Sequence, residues 1–196
     1  MNLKHTLALL LSITVGLTSA RNVTGIDTPE AAQTTQGRSA ATCGDPADAL
    51  PLYRFLTGTG AEYIYFADLP IVQTQAAAKG WTFQGVAALV FTTQEVSTVP
   101  LYGLLHTGDE SLYVADTTEL ANALDGGYVL SGEPLVYIYP TQICGSVPFY
   151  YLTNAAKNSN FYTAVESERL DFINNQGYTD VNVAGYVLPL GCSQCS

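Results

Sequence analysis

Histidine is nearly missing from this chain, with two in 196 residues, and cationic side chains are scarce, seven Lys and Arg against seventeen Asp and Glu. His5 and Lys4 fall in an N-terminal segment read below as a leader, which leaves His106 and six basic groups for the rest. A surface this poor in cations is not expected to bind nucleic acid, where affinity comes from neutralising phosphates with Lys and Arg. A Ser or Cys nucleophile would need a histidine base beside it, and with one histidine outside the leader and no Gly-x-Ser-x-Gly, Ser-x-x-Lys or His-Glu-x-x-His pattern, that route is not expected. No stretch reaches the roughly 18 unbroken apolar residues of a membrane-spanning helix. Membrane, cofactor and metal are accordingly not expected as partners.

What is present begins with Lys4, an apolar run over residues 7–17 and the small residues Thr18, Ser19 and Ala20. This pattern predicts a signal peptide over residues 1–20 and a secreted, extracellular protein. Residues 21–42 are rich in Thr, Ala, Gln, Gly and Ser and bury too little to offset their ordering entropy, so they read as a flexible leader. Asn22-Val23-Thr24 within it is an N-glycosylation sequon. In an oxidising compartment the even set Cys43, Cys144, Cys192 and Cys195 implies two disulfides. A metal at Cys192 and Cys195 would need further ligands, and His106 is the one histidine left to supply them.

Residues 43–196 repeat. Pro51-Leu52-Tyr53, Pro100-Leu101-Tyr102 and Pro148-Phe149-Tyr150 open units 49 and then 48 residues apart. Each unit continues with an aromatic segment around Tyr65, Tyr113 or Tyr162, and then with Gly80-Trp81, Gly127-Tyr128 or Gly177-Tyr178. Three landmarks in one order three times define repeats over residues 50–94, 99–142 and 147–190.

Within a unit, a proline-led β-branched and aromatic segment and a Gly-containing turn predict a hairpin. Asp68, Asp116 with Glu119, and Thr163 with Glu166 then read as helix N-caps, and the glycines at 80, 127 and 177 as left-handed helix ends. The apolar runs at residues 85–91, 135–139 and 183–188 read as a closing buried strand. The expected fold is therefore α+β: three ββαβ units in a single domain, sharing one core around a pseudo-threefold axis, with a β-trefoil-like arrangement as the alternative. Tyr53, Tyr102 and Tyr150 are expected to fill the core between units. In such a ring the chain ends meet, which suggests Cys43 bonded to Cys192 or Cys195 and Cys144 to the other; the competing pairing is Cys192 with Cys195 and Cys43 with Cys144.

These landmarks resemble a secreted repeat family of fungi and bacteria, a domain of unknown function, whose unit runs roughly Val-Pro-Leu-Tyr-Arg-Leu, Gly-Asp-His-Phe-Tyr-Thr-Thr, Gly-Tyr, Glu-Gly-Ile-Ala-Gly-Tyr-Val-Tyr. Val99-Pro100-Leu101-Tyr102, Leu52-Tyr53-Arg54, Gly108-Asp109, Phe161-Tyr162-Thr163, Gly177-Tyr178 and Ala184-Gly185-Tyr186-Val187 carry the resemblance. The motif's Arg stands here only as Arg54, with Gly103 and Tyr151 in the other units, and its His is absent from all three. The resemblance implies an accessory, surface-binding role and brings no catalytic residues.

Thirteen tyrosines and one tryptophan supply flat rings with polar tips, suited to the C–H face of a sugar. Specificity is expected where the repeats diverge, on the hairpin loops: His106, Asp109 and Glu110 in the second unit, Asn158 and Asn160 in the third, with Trp81 as an aromatic platform. The first expectation is a non-enzymatic module for a glycan or cell-wall polymer. A protein-interacting effector or surface component is the second, and a glycoside hydrolase using a carboxylate pair among Asp109, Glu110 and Glu133 the third.

Overall fold

A computed structural model describes residues 42–60, 62–107 and 110–191. The signal peptide, most of the leader with Asn22, and Asp109, Cys192 and Cys195 lie outside them. The first unit holds β1 (Ala49–Leu56), β2 (Tyr63–Phe66), α1 (Leu69–Lys79) and β3 (Thr82–Phe91). The second holds β4 (Val99–His106), β5 (Glu110–Val114), α2 (Thr117–Asp125), β6 (Val129–Leu130) and β7 (Val136–Ile138). β8 (Val147–Asn154), β9 (Ser159–Thr163), α3 (Glu166–Asn175) and β10 (Thr179–Val187) complete the third. The architecture is mixed α/β with antiparallel sheets and few helices, and among the described residues no barrel closes, so the β-trefoil-like alternative does not hold.

The strands run β2-β1-β3-β7-β4-β5 in one sheet, with β6 on β4, and β10-β8-β9 in the other. Antiparallel bridges between Leu89 and Leu188 and between Tyr139 and Tyr186 join the two. The second unit departs from the expected order, because its closing strand is split into β6 and β7. Ser131-Gly132-Glu133-Pro134 lies between them, where Pro134 has no N–H for a ladder and Gly132 takes a φ of 146°.

Side chains alternate across each strand, and this alternation decides what the units share. Leu52, Leu101 and Phe149 point into the common core, where each is at most 1 % exposed. The next residue in each strand points the other way. Tyr53, Tyr102 and Tyr150 therefore pack in the separate clusters under their own units, not between units as expected.

The tyrosines that meet in the common core are Tyr65, Tyr113 and Tyr162, with ring centroids 5.1, 5.7 and 5.3 Å apart and edge-on geometry throughout. Their hydroxyls close a cycle. Tyr113 Oη accepts from the Tyr65 N–H at 3.2 Å, Tyr162 Oη from the Tyr113 N–H at 3.1 Å, and Tyr65 Oη from the Tyr162 N–H at 2.7 Å. Tyr65 Oη also donates to the Tyr162 carbonyl at 3.0 Å. Burial, the leading cause, pushes all three phenols far above their ordinary pKa, so they stay neutral and keep these bonds. Tyr65→Phe leaves two buried backbone groups unsatisfied and is expected to cost about 1–3 kcal/mol, read as a lower urea midpoint with unchanged slope.

Helix starts follow the capping expectation in part. Asp116 caps α2, its Oδ1 accepting from Thr118 and Glu119 N–H at 2.8 and 2.9 Å. In the third unit the cap position is Val165, which has no side-chain acceptor, so Thr163 is not the N-cap. Thr163 sits two residues earlier, fully buried, accepting from the Val165 N–H and donating to Glu168 Oε2 at 2.6 Å. Gly80, Gly127 and Gly177 all adopt positive φ just past their helices. Gly185 is required by space as well: a Cβ there would stand 2.4 Å from Ile138 Cδ1.

A disulfide joins Cys43 to Cys144, with Cα atoms 5.7 Å apart. This overturns the expected bond from Cys43 to Cys192 or Cys195. The chain does bring its first and third units together, but through Arg54 and the bridge from Leu89 to Leu188.

Candidate functional site

Where the first hairpin faces β4 and β5 there is a cleft of about 620 Å³, inside the roughly 300–1,000 Å³ range of small-molecule sites. The first unit lines it with Ile64, Tyr65 and Phe66 of β2, Trp81 after α1, and Glu62 and Lys79. The second unit contributes Gly103 and Leu105 of β4, Ser111 and Tyr113 of β5, and Ser131 from the break between β6 and β7.

Local sequence builds this wall. The Thr57 N–H donates to the Glu62 carbonyl at 2.9 Å and its carbonyl accepts from the Gly60 N–H at 2.8 Å, closing the turn. The Thr57 hydroxyl accepts from the Glu62 N–H at 3.3 Å and shares a 2.9 Å bond with the Thr59 hydroxyl. These bonds hold Glu62 at the base of the hairpin, 5 % exposed, among the cleft residues. Trp81 stacks on Phe66 at 5.6 Å and 14°, and Lys79 Nζ lies 5.0 Å from the indole. On the opposite side, Ser131 gives both its N–H and its hydroxyl to the Gly103 carbonyl, each at 2.9 Å. The cleft thus combines aromatic rings, hydroxyls and one side chain of each charge, a mixture that can hold a polar ring by stacking and directed hydrogen bonds.

Among the described residues that the sequence offered as ligand contacts, Trp81 lines this cleft. His106 ends β4 with its ring 4.8 Å from that of Tyr128. Asn158 is exposed in the third hairpin turn at a φ of 51°. Asn160 is 1 % exposed, which makes it a buried bracket instead of a loop-tip group. It donates to Glu110 Oε1 at 3.2 Å and to the Ser111 carbonyl at 3.0 Å, and accepts from the Tyr151 hydroxyl at 3.0 Å. Glu110 and Asn160 therefore tie the second unit to the third. Burial, aided by the nearby Glu110 charge, pushes the Tyr151 phenol up to about 12.

A second polar centre joins the first unit to the third. Arg54, 4 % exposed, makes a two-pronged bond to Glu168 at 3.0 and 2.8 Å, with its guanidinium 4.6 Å from the Phe161 ring centre. Burial alone would raise the Glu168 carboxyl, but hydrogen bonds from Arg54 and Thr163 outweigh it and hold the group below its ordinary value. Arg54 Nε is buried without a hydrogen-bond partner, so the charge of the guanidinium is met through its two terminal nitrogens.

Glu62, Ser111, Ser131 and Gly103 were not among the residues expected from sequence, because they lie at hairpin bases and a strand break that meet only when two segments about 50 residues apart pack together. The available signal was Gly103 itself, which breaks the series Arg54, Gly103, Tyr151.

Fold and cleft together describe a small α/β domain with antiparallel sheets and a polar-aromatic cleft between neighbouring units. The chain belongs to a family of domains of unknown function, DUF5648, whose profile matches residues 51–188. No curated protein and no solved structure matches it. Among the described residues no helix is long and apolar enough to cross a membrane.

Proposed function

We propose that this is a secreted, non-enzymatic binding domain that takes a saccharide unit of a glycan or cell-wall polymer into the cleft between its first two units, the three units being arranged about a pseudo-threefold axis through Tyr65, Tyr113 and Tyr162. The cyclic hydrogen bonding of those tyrosines supports the axis. The observation that carries the ligand class is the cleft lining, where Trp81 and Phe66 stand beside the hydroxyls of Thr57, Thr59, Ser111 and Ser131. A pyranose presents the matching faces, C–H on one side and hydroxyls around its rim.

Trp81 is the one tryptophan of the chain, so its fluorescence reports on the site. Titrating the purified protein with sugars that score on a glycan array is expected to give a saturable Trp81 signal. A blank array and a flat titration would sink this reading. A contact with another protein is supported instead by the apolar strip of Leu105, Val129 and Leu130, which are 44, 62 and 44 % exposed along β4 and β6. Capture of a defined protein, lost on Val129→Glu, would favour it. Release of sugar from a scoring oligosaccharide would favour the hydrolase.

A further inference from the structure

A cleft opens at the junction of the first and second units, while side chains bridge the units at the other two junctions, and the sequence registers show why. Arg54, Gly103 and Tyr151 occupy the same place, one residue after Tyr53, Tyr102 and Tyr150 in the first strand of each unit. Each sits opposite the aromatic segment of its own hairpin: Arg54 pairs with Tyr65, Gly103 with Tyr113 and Tyr151 with Tyr162. In the first unit this side chain crosses to the third unit and lies over Phe161 against Glu168. In the third unit Tyr151 stacks flat on Tyr162 at 4.7 Å and joins the Asn160 bracket that reaches Glu110 and Ser111 of the second. In the second unit the place holds no side chain, and there the cleft opens.

Backbone conformation does not demand a glycine at 103, since its φ is not positive, unlike that of Gly85, Gly127 or Gly185. A Cβ would meet Ser131 Oγ at 2.8 Å and the Tyr113 ring at 3.5 Å, so a side chain at 103 requires the Ser131 hydroxyl to turn and give up its bond to the Gly103 carbonyl.

We infer that Gly103 is the residue that creates the binding site: it leaves vacant the place that Arg54 and Tyr151 fill at the other two junctions, and a ring of the ligand enters there in place of the missing side chain. This rests on the proposed saccharide reading for the nature of the ring, but not for the vacancy. The two filled places hold planar groups with hydrogen-bonding edges, a guanidinium and a phenol. The vacancy therefore suits a ring of similar breadth with hydrogen-bonding groups on its rim, held against Ile64 and Tyr113 with Glu62 and Ser111 within the same cleft.

The test restores the missing side chain. Gly103→Arg and Gly103→Tyr are made in a Ser131→Ala background, which removes the Oγ that a new Cβ would approach. Val129→Arg, on a 62 % exposed residue that does not line the cleft, controls for added charge. Two readouts are taken on the full chain: quenching of Trp81 fluorescence by acrylamide, a small neutral probe that needs no ligand, and titration with cellopentaose and chitopentaose. The expected result is that both position-103 variants keep the melting transition of the Ser131→Ala parent while acrylamide quenching falls on the order of twofold, as befits a filled pocket. Val129→Arg should leave quenching unchanged. Folded variants with unaltered quenching would overturn the vacancy, and so would failure of both to fold, since a vacant place accepts a side chain. Reduced quenching in the variants together with no sugar response in the unsubstituted protein would uphold the vacancy and remove the saccharide reading.

Discussion

Glu168→Ala is expected to destabilise the protein by about 3 kcal/mol, the low end of what breaking a buried ion pair costs. The charge left behind is the deciding factor: the Arg54 side chain is 5 % exposed, and without Glu168 its remaining bond is a long one of 3.5 Å to the neutral Gln84 carbonyl. Glu168 itself is 36 % exposed, so water already screens part of the attraction, which is why the lower figure applies. The pair Arg54→Met with Glu168→Leu should cost much less than either single change, because it removes both charges and keeps the packing on Phe161. Urea denaturation of the four proteins in the cycle measures this. Equal losses in the single and double variants would mean the pair contributes nothing beyond shape.

The same pair sets an acid limit. The folded Glu168 carboxyl titrates below its ordinary value of 4.5, so its contribution is fully present above that value and disappears as the pH falls through the lowered folded one. Stability of the unsubstituted protein should drop over that interval more than stability of Glu168→Gln. Matching acid profiles would show that Glu168 does not couple folding to pH.

Removing the bond between Cys43 and Cys144 is the second large effect expected. Their separation of 101 residues encloses the first two units, and in the chain-entropy model a loop of that length contributes about 4–5 kcal/mol, an upper figure because unfolded chains keep some structure. For a chain of this size that corresponds to a melting transition lower by on the order of 10 °C. The variant Cys43→Ala with Cys144→Ala isolates this bond from Cys192 and Cys195, which a reductant would not. A melting temperature unchanged in that variant would show that the contacts between units, not the covalent link, hold the first unit against the second.

How much of this was legible in the sequence depended on the range over which each signal acts. The capping of α2 by Asp116 and the positive φ of Gly80, Gly127 and Gly177 are local, decided within one helical turn, and could be read directly. The cap at Thr163 failed by two residues: the helix begins at Glu166, so the N–H that the Thr163 hydroxyl accepts is that of Val165, while the hydroxyl donates to Glu168, the carboxylate that Arg54 from the first unit holds. The landmark prolines Pro51, Pro100 and Pro148 fall in the strands β1, β4 and β8.

What the sequence by itself determined is the order of elements over the first and third units, because strand alternation, turn glycines and caps act between near neighbours. Tertiary structure alone decided which tyrosines face one another, which cysteines bond, and where a cleft stays open. Those outcomes depend on side chains about 50 to 100 residues apart arriving at one junction, as Tyr65 does with Tyr162 and Cys43 with Cys144. One position shows both regimes. The absence of a side chain at Gly103 is plain in the sequence, but that absence becomes a cavity only where Ile64, Tyr65 and Trp81 of another unit stand across from it.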